Sequence, residues 1–75
     1  MTYVGKIKLN HVKCGGCFSS ISQMIYQEDI KHLDMDHANK IATITFEDDK
    51  EIIQRIIDRI NQSKYEAELI FVEEE

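Results

Sequence analysis

The hydrophobic period of this chain switches between two residues and about 3.6 residues in an order that leaves few folds open. From Tyr3 to Val12 the residues alternate, Ile7 and Leu9 on one face and Lys6, Lys8 and Asn10 on the other, as in a strand with one side buried. His11 to Gly16 interrupts the alternation. From Cys17 the spacing becomes Phe18, Ile21 and Ile25, with Ser19, Ser20, Ser22 and Gln23 opposite, which predicts an amphipathic helix ending near Gln27 to Asp29. Ile30 to Asp36 and Lys40 to Glu47 read as two strands, with Leu33 and Met35 inward on one and Ala42, Ile44 and Phe46 inward on the other. The short polar joint His37-Ala38-Asn39 makes them an antiparallel hairpin. Asp48 with Glu51 three residues on resembles a capping box, and Ile52, Ile53, Ile56, Ile57 and Ile60 follow at helical spacing, predicting a second helix that ends around Asn61 to Lys64. Tyr65 to Val72 alternates again as a fourth strand.

Strand, helix, strand, strand, helix, strand is the order of two split βαβ units. The predicted class is therefore α+β, a ferredoxin-like βαββαβ sandwich with a four-stranded antiparallel sheet and both helices on one face. The other sheet face should be polar, with Lys6, Lys8, Asn10, Thr43, Thr45, Glu66 and Glu68 on it. At 75 residues the expectation is one domain spanning 1–75. A domain of this size buries only about 60% of the surface its unfolded chain exposes, so a bound ion is a plausible staple.

The formal charge is -5, and the nine Lys and Arg residues are scattered. Nucleic-acid binding is disfavoured, because phosphate neutralisation needs a concentrated basic footprint. An acidic surface suits a partner with a basic face. Glu73, Glu74 and Glu75 read as a solvated end. No segment approaches the roughly 20 consecutive apolar residues of a membrane span, and Met1 to Leu9 lacks the apolar core of a secretory signal, so the expected setting is cytoplasmic, without membrane insertion.

Two cysteines three positions apart would close too small a loop to staple a fold as a disulfide, so their use is chemical. Cys14-Gly15-Gly16-Cys17 lies where the first strand hands over to the first helix. One sulfur then sits on a loop and the other at a helix start, where unsatisfied N–H groups and the nearby Lys13 favour thiolate over thiol. The glycines give the loop freedom to widen the gap between the sulfurs, and small residues let a partner approach. Structural zinc wants four ligands, and neither a second CxxC nor a zinc-spaced His pair is present. Two soft sulfurs suit two-coordinate Cu(I), with Zn(II) and Hg(II) as alternatives. His11 is a candidate third ligand, since imidazole suits copper; His32 and His37 read as surface residues, and Met24 and Met35 as core.

Three other uses of the cysteines stay open: core filling at a turn, a thiol-disulfide redox pair, and an oxidation-responsive site on a regulatory domain. The Gly-Gly insert argues against core filling. The chain has no proline, whereas thioredoxin-like sites keep a cis-proline facing the dithiol.

The run Leu9-Asn10-His11-Val12-Lys13-Cys14-Gly15-Gly16-Cys17, together with Leu33-Asp34-Met35-Asp36 and Tyr65-Glu66-Ala67-Glu68, resembles the heavy-metal-associated domain of copper chaperones and of the N-terminal arms of copper-transporting P-type ATPases. The resemblance covers nearly the whole chain. It implies a non-enzymatic metal carrier: Cu(I) held between Cys14 and Cys17, then passed by ligand exchange to a P-type ATPase or a similar CxxC acceptor. The carrier would be a monomer unless the ion bridges two copies. Val12 stands where the family usually has Met, and His11 and Lys13 where Gly and Thr are commoner; Val12 is expected to pack beneath the loop with less volume. Tyr65 falls where bacterial members often carry a Tyr near the ion, which implies shielding of the metal, and a Tyr capping the core would serve equally. Lys64 beside it would offset the negative charge of a bis-thiolate centre, although a solvated loop Lys is the plainer reading.

Overall fold

The computed structural model describes residues 1–13 and 15–75; the Cys14 part of the predicted site lies outside the described residues. The elements are β1 (Thr2–Asn10), α1 (Gly15–Ile25), β2 (Ile30–Asp36), β3 (Ile41–Glu47), α2 (Ile52–Asn61) and β4 (Glu66–Glu74). All strand pairs are antiparallel, in the order β2-β3-β1-β4. The predicted ferredoxin-like class is the observed one, with the apolar side of the sheet covered by both helices.

The alternation decides which side that is. Ile7 and Leu9 of β1 and Ala42, Ile44 and Phe46 of β3 are fully buried, and Ile21, Ile25, Ile53, Ile56 and Ile60 meet them from the helices. Leu33 and Met35 are half-buried against the same core, because β2 is an edge strand. Gly5 has a part that its sequence context does not announce. A Cβ there would lie 3.0 Å from Cδ1 of Ile53, so the bare backbone is what lets α2 settle onto β1.

Several boundaries differ from the sequence expectation, each for a local reason. β1 stops at Asn10 because His11 adopts φ 65°, a left-handed conformation that breaks the ladder. α1 begins at Gly15, so both glycines fall in its first turn and neither has positive φ; the left-handed turn before the helix is made by His11. α1 also ends at Ile25, before the expected Gln27 to Asp29.

Asp48 does not cap α2. Its own φ is 71°, and its N–H donates to the Met1 carbonyl at 3.1 Å. Asp49 takes the role instead, its Oδ1 accepting from the Glu51 N–H at 2.9 Å and its carbonyl from the Ile52 N–H at 3.2 Å. β4 runs on through Glu74, with Glu73 and Glu74 paired to Val4 and Tyr3 and the Glu75 N–H donating to Thr2, so the acidic end is a strand rather than a loose tail.

A register shift in β4 sets Lys6 opposite Phe71 but Ile7 opposite Leu69, leaving Ile70 as the extra residue of a bulge. Phe71 is thereby turned onto the polar face, where the Lys6 ammonium lies 5.7 Å from its ring centre. Lys6, Lys8, Asn10, Thr43, Thr45, Glu66 and Glu68 share that face as expected, but Val4 and Ile41 lie on it too, so it is only mostly polar. No helix among the described residues is long and apolar enough to cross a membrane.

Candidate metal centre

Three connections meet at one end of the sheet: residues 11–13 on the way from β1 to α1, residues 37–40 between β2 and β3, and residues 62–65 between α2 and β4. The antiparallel order forces this, since β1 and β2 finish, and β3 and β4 start, at that end. The second is held against the end of β1: the Leu9 N–H donates to the Lys40 carbonyl at 2.8 Å, and Lys8 Nζ to the Asn39 carbonyl at 2.6 Å. In the third, the Tyr65 N–H donates to Ser63 Oγ at 3.1 Å.

After the left-handed turn at His11, Val12 drops into the core at 1% exposure and Lys13 faces solvent. Val12 is thus a member of the buried core. Cys17 lies in the first turn of α1, half-buried and against the core. That turn has N–H groups without intrahelical partners and no acidic residue, a setting that favours an anionic sulfur. Ser20 Oγ, one turn on, donates to the Gly16 carbonyl at 3.1 Å, tying the glycine turn to the body of the helix.

Tyr65 is buried beside this turn, within hydrogen-bonding reach of Cys17 and Ser20. A hydrogen bond to the Cys17 sulfur, burial, and the charge of that sulfur push the phenol above its usual range. The Lys64 ammonium sits 5.5 Å from the Tyr65 ring centre. The sequence suggested either an aromatic capping the core or a shield for the site. The ring does the first while its hydroxyl reaches the cysteine.

His11 and Lys13 are both exposed. His37, read from sequence as a surface residue, is exposed but stacks on Phe18, the neighbour of Cys17, with ring centres 4.3 Å apart and planes at 21°. Nothing local in the sequence signals that pairing, because the topology brings together residues far apart in the chain. His32 lies on edge strand β2, away from these connections. Among the described residues no three His, Cys, Asp or Glu side chains converge as ligands, so a site with three such ligands would have to include Cys14.

The whole fold matches several solved structures. Oxidized MerP from Ralstonia metallidurans CH34 matches with TM-score 0.81 at 18% identity, over 95% of this chain and 100% of that one. The N-terminal domain of a potential copper-translocating P-type ATPase from Bacillus subtilis, in its Cu(I)-loaded state, matches with TM-score 0.83 at 13% identity over 100% and 95%. The N-terminal domain of ZntA in its Zn(II) form matches with TM-score 0.77 at 12% identity over 96% and 97%.

This chain has the heavy-metal-associated fold. At these identities the likeness is one of architecture, and within that architecture Cys17 stands in the first turn of α1. No family model matches the sequence, and no curated relative does.

Proposed function

We propose that the chain is a non-enzymatic carrier of a soft metal ion, Cu(I) before Zn(II) or Hg(II), which it grips with Cys14 and Cys17 and surrenders to another thiolate site. The observation that carries this is the setting of Cys17: first turn of a helix, half-buried, and in contact with a tyrosine hydroxyl at the end of the fold where three connections meet. Soft sulfur prefers soft monovalent copper, and a two-coordinate site asks for no further protein ligand.

Delivery proceeds by ligand exchange without redox change. An incoming thiol loses its proton and bonds to the ion, one resident sulfur leaves and is reprotonated, and a second exchange completes the transfer. The hydrogen bond from Tyr65 to the Cys17 sulfur would stabilise that sulfur whenever it is not bonded to metal. The acceptor is a domain with a similar exposed dithiol, such as the N-terminal arm of a metal-transporting P-type ATPase, and the setting is the cytoplasm, where thiols stay reduced.

The test is the metal content of protein purified anaerobically from copper-supplemented cells. About one copper per chain is expected, with Zn(II) absent. Copper-free protein carrying Zn(II) would overturn the choice of ion and point to added nitrogen or oxygen ligands.

A further inference from the structure

Among the described residues two pairs of rings lie face to face, and they differ in what brings them together. Tyr3 and Phe46 are register partners on β1 and β3, with ring centres 5.5 Å apart and planes at 24°. That pair is the ordinary product of neighbouring strands. His37 and Phe18 share no ladder. One belongs to the turn between β2 and β3 and the other to α1, yet their ring centres are 4.3 Å apart and their planes at 21°.

His37 stands on a fixed base. Asp36 accepts from the Asn39 N–H at 3.1 Å and from its side-chain amide at 2.9 Å, and Lys40 takes a left-handed φ of 57°. The Lys40 and Asn39 carbonyls accept from the Leu9 N–H and from Lys8 Nζ, which ties the turn to β1.

Phe18, by contrast, belongs to a helix whose start is weakly specified by its own sequence. α1 opens on Gly15 and Gly16, and glycine loses more backbone freedom on folding than any other residue. The first N–H groups of a helix also have no intrahelical partner. That turn carries Cys17, and contacts from outside the helix help to seat it. Phe18 enters the core at 8% exposure, Tyr65 reaches Cys17 from the connection before β4, and His37 lies on Phe18 from the β2–β3 turn.

We infer that His37 is a positioning residue of the candidate metal centre: its ring, seated on Phe18, holds the first turn of α1 in place, and so restrains the Cys17 sulfur and slows its exchange reactions. Cys17 and Phe18 share a peptide bond, so fixing Phe18 also fixes the direction in which the Cys17 side chain leaves the helix. Groups that orient a ligand from behind tune how firmly it holds an ion. The consequence for metal rests on the carrier reading. The restraint on the sulfur does not, and is tested without metal.

In Cys14→Ser, Cys17 is the single thiol of the chain, and its rate of reaction with iodoacetamide in metal-free protein reads the restraint. On that background His37→Ala should speed alkylation about three- to tenfold, the range one aromatic pair is worth. His37→Phe should restore the slow rate and His37→Gln should not. All three replacements are uncharged, so charge cannot separate them. Tyr3→Leu removes the other ring pair, far from Cys17, and should leave the rate unchanged, which a general loosening of the fold would not do. No acceleration in His37→Ala, equal acceleration in Tyr3→Leu, or restoration by Gln as complete as by Phe would overturn the inference.

The route is tested by a double-variant cycle. Phe18→Leu should itself speed alkylation, and adding His37→Ala should change the rate no further, because His37 acts through the Phe18 ring. Two independent, multiplying effects would overturn it. Should Phe18→Leu fail to fold, the histidine series decides alone.

With both cysteines present, loaded His37→Ala should surrender Cu(I) to a chelator faster than wild type by a similar factor, at unchanged stoichiometry. Release at the wild-type rate would overturn the link to metal exchange. Protein that takes up no Cu(I) would refute the carrier reading instead, and the alkylation series would still decide on His37.

Discussion

The two helices lie side by side on one sheet face and are held there by different means. α2 buries Ile52, Ile53, Ile56, Ile57 and Ile60, is capped by Asp49, and sits close on β1 because Gly5 has no side chain. Its arginines reach across to Glu28 just past α1, Arg55 Nε at 3.1 Å and Arg59 Nη1 at 3.0 Å. α1 buries Phe18, Ile21 and Ile25, starts on two glycines, and has no acidic residue in its first turn. The difference separates two jobs. α2 supplies stability, while α1 presents a glycine-rich, anion-seeking first turn that carries Cys17.

If that division holds, Ile56→Ala should be the most damaging of the changes considered, costing about 2 to 5 kcal/mol by transfer and cavity effects while leaving metal stoichiometry intact in whatever fraction stays folded. Urea denaturation measures the cost; a loss under about 1 kcal/mol would mean the isoleucine stripe is not the anchor. Next come the two glycines, which should respond with opposite sign. Gly5→Ala forces a methyl against Ile53 and should destabilise by about 1 to 3 kcal/mol, typical of overpacking. At Gly15 the added methyl meets nothing within 4 Å and φ is not positive, so Gly15→Ala should stabilise by up to about 1 kcal/mol and slow metal exchange by stiffening the turn. Equal effects at both positions would erase the contrast between the helices.

The smallest effect is expected at Glu28. Burial pulls its carboxyl upward, but the hydrogen bonds and charges of Arg55 and Arg59 outweigh this and hold it below the usual glutamate range. A depressed carboxyl contributes stability that is complete above its unfolded value and lost as the pH falls through its folded value. Glu28→Gln should therefore cost up to about 1 kcal/mol near neutrality, and the gap from wild type should close in acid below the usual glutamate range. A gap that widens in acid would contradict the clamp.

What could be read from the sequence was whatever depends on near neighbours. The isoleucine stripe places α2, the polar joint after Asp36 places the hairpin, and the change of period at Cys17 places α1 to within a turn. What could not be read depends on residues distant in the chain. The sequence pointed to Asp48 as the cap of α2, and the left-handed turn that brings Asp48 to Met1 passes that role to Asp49. The bulge at Ile70 is fixed by pairing with Lys6 and Ile7, and Gly5 acquires its purpose only when Ile53 arrives. At the site, the tyrosine was visible in the sequence. The Phe18 and His37 stack needed the topology.

Whether two sulfurs hold the ion at the start of α1 is decided most directly by a Cu(I) competition titration against a chelator under anaerobic reducing conditions, on wild type, Cys14→Ser and Cys17→Ser. Wild type should withhold one equivalent, and either serine variant should yield it to the chelator. Retention of copper by both variants at wild-type strength would contradict the account.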